Sequence, residues 1–262
     1  MLRKINLFNV LALSSSLVII AFILIPLLEM IFQPSVSSLI ETARDKDVIR
    51  SIWLSIYCSG FAAIISLILG TPLAYLLARR NFFGKNFIES LIDLPIMIPH
   101  PVIGIAILSL AGKGHWLGDV MSYLGIRIMG SVTGLVVVLA YVGLPFYVNT
   151  VKTGFEAIPV RMEHVSRSLG ASLMETFTRV TLPLAWRTMI VGMIMCAARA
   201  ISEFGAVIIV AYHPMTAPVM IYERFTAYGL AYSQPVAVWL ILVCLVLFLL
   251  LRIMSRPSFK DG

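Results

Sequence analysis

Charge is what this chain has least of. Asp, Glu, Lys and Arg make up 13% of its 262 residues, against about one-quarter in a soluble domain. Apolar residues make up 60% and the mean hydropathy is +0.96. A core of this size cannot hide so much apolar surface, so lipid must cover much of it and a soluble globular domain is excluded. Cysteine is also scarce. Cys58, Cys196 and Cys244 lie far apart inside apolar runs without metal-ligand spacing, which fits small buried residues and indicates no redox compartment. The phosphate-cradling G-x-x-x-x-G-K-[ST] is missing, because Gly84-Lys85 and Gly112-Lys113 lack both its frame and its hydroxyl. There is no H-E-x-x-H or G-x-S-x-G, and His100, His115, His164 and His213 are scattered. Nothing points to an enzyme, and this chain is expected to bind no cofactor of its own. Low-complexity tracts, flexible linkers and short repeats are lacking too, so residues 1–262 are expected to form a single membrane domain.

What the chain has is long apolar runs. Six can cross about 30 Å of hydrocarbon, which takes roughly 20 residues: Phe8–Phe32, Val48–Ala78, Phe87–Leu110, Val132–Val151, Thr188–Tyr212 and Leu230–Met254. The expected fold is therefore all-α, a polytopic membrane protein with six transmembrane helices. Arg3 and Lys4 imitate the start of a signal peptide, but the run that follows is too long and has no small-residue cleavage site, so a retained helix is expected. Cytoplasmic loops carry the excess of Lys and Arg. With the N-terminus inside, that side holds thirteen of them (Arg3, Lys4, Arg79, Arg80, Lys85, Lys152, Arg161, Arg167, Arg179, Arg187, Arg252, Arg256 and Lys260). The other side holds six: Arg44, Lys46, Arg50, Lys113, Arg127 and Arg224. Both termini are thus expected to be cytoplasmic. The net charge of +7 then belongs to a membrane topology and not to nucleic acid. The external loops, Gln33–Asp47, Ala111–Ser131 and His213–Gly229, are too small for separate domains.

Two apolar runs carry polar residues. Lys85, Glu89 and Asp93 recur every four residues as the third run begins, and Pro95, Pro99 and Pro101 follow. A proline inside a helix removes a hydrogen bond and clashes with the carbonyl four residues earlier, so this run should bend or break. In a membrane that is tolerated only against protein or a water-filled cavity. Asp93, Pro95, Pro99 and His100 thus line a translocation pathway, or form a kink packed on a neighbour with His100 hydrogen-bonded structurally. The fifth run contains R-A-I-S-E-F-G. Gly192, Cys196, Arg199, Glu203, Ala206, Val210 and His213 would share one helix face, and Arg199 and Glu203, one turn apart, can pair. Intramembrane charge is costly and turns inward. A path-lining face is expected, with Ser202 adding a hydroxyl and Gly205 a close approach, although a structural ion pair fits as well. A bare Glu203 would repel an anion, so its expected part is to orient Arg199 without touching cargo.

The longest polar interlude runs from Lys152 to Arg187. Pro159 suits a first helical turn, Gly170 a left-handed cap, and Ser172 with Glu175 a capping box. A helix-turn-helix beside the bilayer is expected, its second helix running through Phe177 and Val180 until Pro183 interrupts it. From His164 to Pro183 this stretch resembles the "EAA" loop of ABC-importer permease subunits, E-A-A-x3-G-x9-I-x-L-P. Gly170, Leu182 and Pro183 match, Val180 stands for the Ile, and His164, Val165 and Ser166 replace the first three letters, with Glu163 just before them. The resemblance implies a cytoplasmic coupling loop (Glu163, His164, Val165, Ser166, Gly170, Ala171, Val180, Leu182, Pro183) seated on an ATPase subunit. R-A-I-S-E-F-G-A-V-I, H-P-M-T-A-P-V-M-I-Y-E-R-F, G-T-P-L-A-Y-L-L-A-R-R and D-L-P-I-M-I-P-H-P are similar to the molybdate/tungstate branch, near the sulfate/thiosulfate one. The implied partners are a second permease copy, two cytoplasmic ATPase subunits that bind ATP and magnesium, and an extracytoplasmic oxyanion-binding protein. A sulfate permease and an ion-gradient-driven secondary transporter are the alternatives. The latter explains broken helices but not the capped loop.

Overall fold

The computed structural model describes residues 7–112 and 114–254, and every regular element among them is helical. Arg3, Lys4, Lys113, Arg256 and Lys260, five of the charges behind the expected topology, lie outside the described residues. In chain order the helices are α1 (Leu7–Phe32), α2 (Val36–Arg44), α3 (Lys46–Arg79), α4 (Lys85–Met97), α5 (His100–Ala111), α6 (Trp116–Tyr123), α7 (Val132–Ala157), α8 (Val160–Ser168), α9 (Leu173–Thr176), α10 (Leu182–Ile201), α11 (Gly205–Val210), α12 (Ala217–Tyr228) and α13 (Leu230–Met254). Five helices are long and apolar enough to cross a membrane, and α4 with α5, bent by 111°, makes a sixth if taken as one span. The chain is thus an all-helical, multi-pass membrane protein.

The centre is the triangle of α3, α7 and α10. On α3 the buried residues Ser51, Ser55, Ser59, Ala62, Ser66, Gly70 and Ala74 recur about every four positions. Lipid tails are as apolar as leucine, so helices in a membrane associate through close packing of small residues. Hydroxyls are tolerated there because they bond locally: Ser51 Oγ donates to Val48 O at 2.8 Å and Ser55 Oγ to Ser51 O at 2.9 Å. Across the triangle, the hydroxyls of Thr71 and Tyr147 share a 2.7 Å hydrogen bond, and the Cys196 thiol donates to Ser66 Oγ at 3.3 Å. Cys58 and Cys196 are indeed buried, and all three cysteines are free. By contrast α1 has no buried residue from Phe8 to Phe32 and touches α13.

Each of the three expected external loops carries a helix (α2, α6 and α12), and α12 is clamped back by an Arg224–Asp45 ion pair. The structure corrects the sequence reading in two places. The fifth run is not one helix, because it breaks between Ile201 and Gly205. Gly192, Cys196 and Arg199 stay together on α10, whereas Ala206 and Val210 belong to α11, so the expected seven-residue face does not continue past the break. Gly192 packs on Tyr147 and Val151, and Cys196 bonds to α3. Finally, Pro183 does not end the helix after Ser172, since Leu173–Ile201 runs on through a π-helical stretch at Phe177–Thr181. There Leu182 N–H reaches Phe177 O, one residue beyond α register. That wider turn absorbs the proline, whose ring would clash with the carbonyl four residues back in a plain α-helix.

Candidate functional site

The third and fifth runs both break, and the breaks meet. At the first, Pro99 holds Ile98 extended (ψ 146°), because a residue before proline is pushed out of the helical region. At the second, the Glu203 carboxylate does what a backbone carbonyl would do in a continuous helix: Oε1 accepts the Ala206 N–H at 2.9 Å, starting α11 afresh. The α5 and α11 helices then lie together. Gly205 makes this possible, because a Cβ there would stand 3.1 Å from both His100 Cβ and Pro101 Cδ.

His100, the first residue of α5, meets Arg199 in the last turn of α10 and Glu203 in the break. Arg199 Nη2 and His100 Nδ1 lie 2.8 and 2.6 Å from Glu203 Oε2, and Arg199 Nη2 is 2.7 and 2.8 Å from the two ring nitrogens of His100. Ser202 Oγ is 3.4 Å from Arg199 Nη1. Five expected pathway residues (His100, Arg199, Ser202, Glu203 and Gly205) are thus gathered at one point, with Pro99 beside them. Asp93 and Pro95 are not there. Asp93 accepts from Asn149 Nδ2 at 2.6 Å and Pro95 is buried. Lys152 Nζ lies 2.5 Å from Glu89 Oε1, so the Lys85–Glu89–Asp93 stripe faces α7.

A second constellation sits between α7 and α10. Gly170 has φ +93°, Ser172 and Glu175 form both halves of a capping box, and α8 precedes them as expected. Glu163 does not point outward with its neighbours. It is buried, its Oε1 accepting from Arg79 Nε at 2.8 Å and from Thr181 Oγ1 at 3.1 Å, while Oε2 accepts from Tyr75 Oη at 3.1 Å. Arg79 also donates to Ile158 O at 3.0 Å. Glu163 therefore fastens α8 to the end of α3. Tyr75 and Arg79 were missed by sequence reasoning, although their one-turn spacing at the end of a long apolar run was the available signal. The outer side of α8 keeps His164 and Val165 exposed, with Ser166 hydrogen-bonded to Thr176 at 3.2 Å. Met162, Val165, Leu169 and Val180 line a shallow, mostly apolar groove there. Ala171 and Leu182 are half-buried, and Pro183 is exposed.

A β-branched residue opposes the left-handed backbone of Gly170, although its side chain would meet open space. Gly170→Val is expected to destabilise the loop by about 1–2 kcal/mol. Faster proteolysis between residues 160 and 175 in the purified variant checks this, and unchanged cleavage would contradict it.

An all-helical membrane body with two facing helix breaks and a polar cluster between them defines a transport permease by class. Residues 70–257 match the family of binding-protein-dependent transport system inner membrane components, and the chain belongs to that family. Among its relatives, the molybdate/tungstate transport system permease protein WtpB of Methanocaldococcus jannaschii is 40% identical over 91% of this chain and 93% of that protein. Its namesake from Pyrococcus furiosus is 41% identical over 89% and 90%. A permease named for sulfate transport in Chlorella vulgaris is more distant, at 26% over 88% of each chain. The fold matches a solved bacterial ABC transporter for alginate import, with TM-score 0.74 and 17% identity over 97% of this chain and 96% of that one.

Proposed function

We propose that this chain is the transmembrane permease subunit of an ATP-driven importer for a tetrahedral oxyanion, molybdate or tungstate. The observation that carries the cargo is 40% identity across nine-tenths of the chain to a permease named for those anions. In this reading the whole chain is one permease domain with both termini cytoplasmic. It pairs with a second copy, the pathway lies between the copies, and an extracytoplasmic binding protein delivers the anion. The α8 groove, with His164, Val165 and Gly170 at its rim, seats a cytoplasmic ATPase subunit that binds ATP and magnesium. Closure of the two ATPases moves α8, and the Glu163–Arg79 contact passes that motion to α3 and the α3–α7–α10 core. The core then shifts against α5 and α11 at Pro99 and Ser202. Differential contact with the ATPase in its two states supplies the bias such a switch needs. Sulfate is the second reading, favoured by the more distant relatives.

Proteoliposomes holding the native complex test the proposal. Uptake of molybdate is expected to need the binding protein and internal ATP, and a P-loop ATPase is expected to co-purify with the chain. Uptake driven by an ion gradient after removal of that ATPase would sink this reading in favour of a secondary transporter. Gly170→Val is expected to keep ATP hydrolysis while uptake per ATP falls.

A further inference from the structure

We infer that Arg199 is a transferable cation, held on Glu203 when the path is empty and released to the passing dianion while His100 keeps the carboxylate in place. This deepens the reading above and rests on it. The three side chains differ in access: Glu203 is fully buried at 0% exposure, whereas Arg199 and His100 are 20% and 33% exposed. Glu203 therefore cannot follow a cargo, and the two nitrogen donors lie on the open side. The hydrogen bonds allow the exchange. Glu203 Oε1 holds the Ala206 N–H, and Oε2 has two partners, Arg199 Nη2 and His100 Nδ1. When Arg199 leaves, each carboxylate oxygen still has a hydrogen-bond donor, which lowers the cost of leaving that buried charge without its cation. A ring proton on Nδ1 lets His100 donate to Oε2 whether Arg199 is in place or has left. Among the described residues, Arg199 Nε and Nη1 have no partner besides Ser202 Oγ at 3.4 Å. Two donors are thus free for an oxyanion before the pair opens, and the planar guanidinium suits two oxygens of one tetrahedral anion. The built-in carboxylate acts as a placeholder that keeps the cation in position, and its competition keeps the anion from binding too tightly to leave.

The complete transporter in proteoliposomes, supplied with its binding protein, ATP and labelled molybdate, decides the matter. Arg199→Gln is expected to cut uptake about tenfold or more, the scale of a lost charge-assisted hydrogen bond, while Arg199→Lys keeps a substantial part. His100→Ala leaves Glu203 dependent on Arg199 and is expected to slow uptake. Adding Glu203→Gln to His100→Ala removes the competing charge and is expected to restore uptake above that of His100→Ala alone. A purely structural cluster would do the opposite, because a second buried change would compound the first. Wild-type uptake in Arg199→Gln, or a double variant no better than His100→Ala, overturns the inference. If His100→Ala fails to assemble, the Gln and Lys variants of Arg199 decide by themselves: equal rates refute the inference, and a tenfold gap supports it. Absence of ATP-dependent uptake in the wild type would instead refute the importer reading.

Discussion

Glu163→Ala is expected to give the largest loss of function outside the helix breaks: ATP hydrolysis without uptake, and a lower melting temperature for the assembled complex. Arg79 and Glu163 have side chains only 7% and 11% exposed. Removing one partner of such a pair leaves the other charge buried and typically costs about 3–5 kcal/mol. The Arg79 contact with Ile158 O survives, which places the expected cost near the lower end of that range. Tyr75 and Thr181 also lose their acceptor, so α8 comes off three points of support at once. Glu163→Gln keeps the shape and some hydrogen bonds, and should fall between alanine and wild type. A double-mutant cycle with Arg79→Ala measures the pair directly. Melting and uptake unchanged in Glu163→Ala would mean that α8 does not need its link to α3.

Gly143→Ala is the second large effect, acting within the membrane. A Cβ at position 143 would stand 2.5 Å from Cys196 Sγ and 3.1 Å from the Cys196 carbonyl oxygen. Real Cβ atoms do not approach that closely, so the Cys196 thiol must rotate off its Ser66 contact or α7 and α10 must move apart. Overpacking of this kind costs about 1–3 kcal/mol. The design separates two causes. Cys196→Ala removes the nearest obstacle, so the double variant should regain much of the stability lost by Gly143→Ala, while Gly143→Val, which also crowds the carbonyl, should not recover. Thermal unfolding in detergent reads the wild type and each variant. Additive losses in the double variant would show that the two side chains do not meet as described.

The two helix breaks show where sequence reasoning succeeds and stops. Pro95, Pro99 and Pro101 announce the first break, because proline acts on its own backbone. The second has no proline at all. It depends on a carboxylate turning back to cap Ala206, and the same carboxylate was equally compatible with an unbroken helix and an i,i+4 pair. Pro183 misleads in the other direction, since a single π turn absorbs it. The Lys85–Glu89–Asp93 stripe is plain in the sequence, yet its partners Asn149 and Lys152 lie some sixty residues away and their register against α4 follows from helix packing.

From its residues alone the chain declares a lipid-embedded helical bundle of about six spans, with a polar loop that starts at Pro159, reverses at Gly170 and restarts at Ser172. Hydropathy, capping and backbone conformation are properties of a few neighbouring residues, so they survive in a one-dimensional reading. Only the tertiary structure turns Glu163 inward to Arg79, brings His100 onto Arg199 and Glu203 from about a hundred positions away, and leaves Met162, Val165 and Leu169 facing out. Those choices depend on how deeply and at what rotation each helix packs, and helices in contact set that jointly.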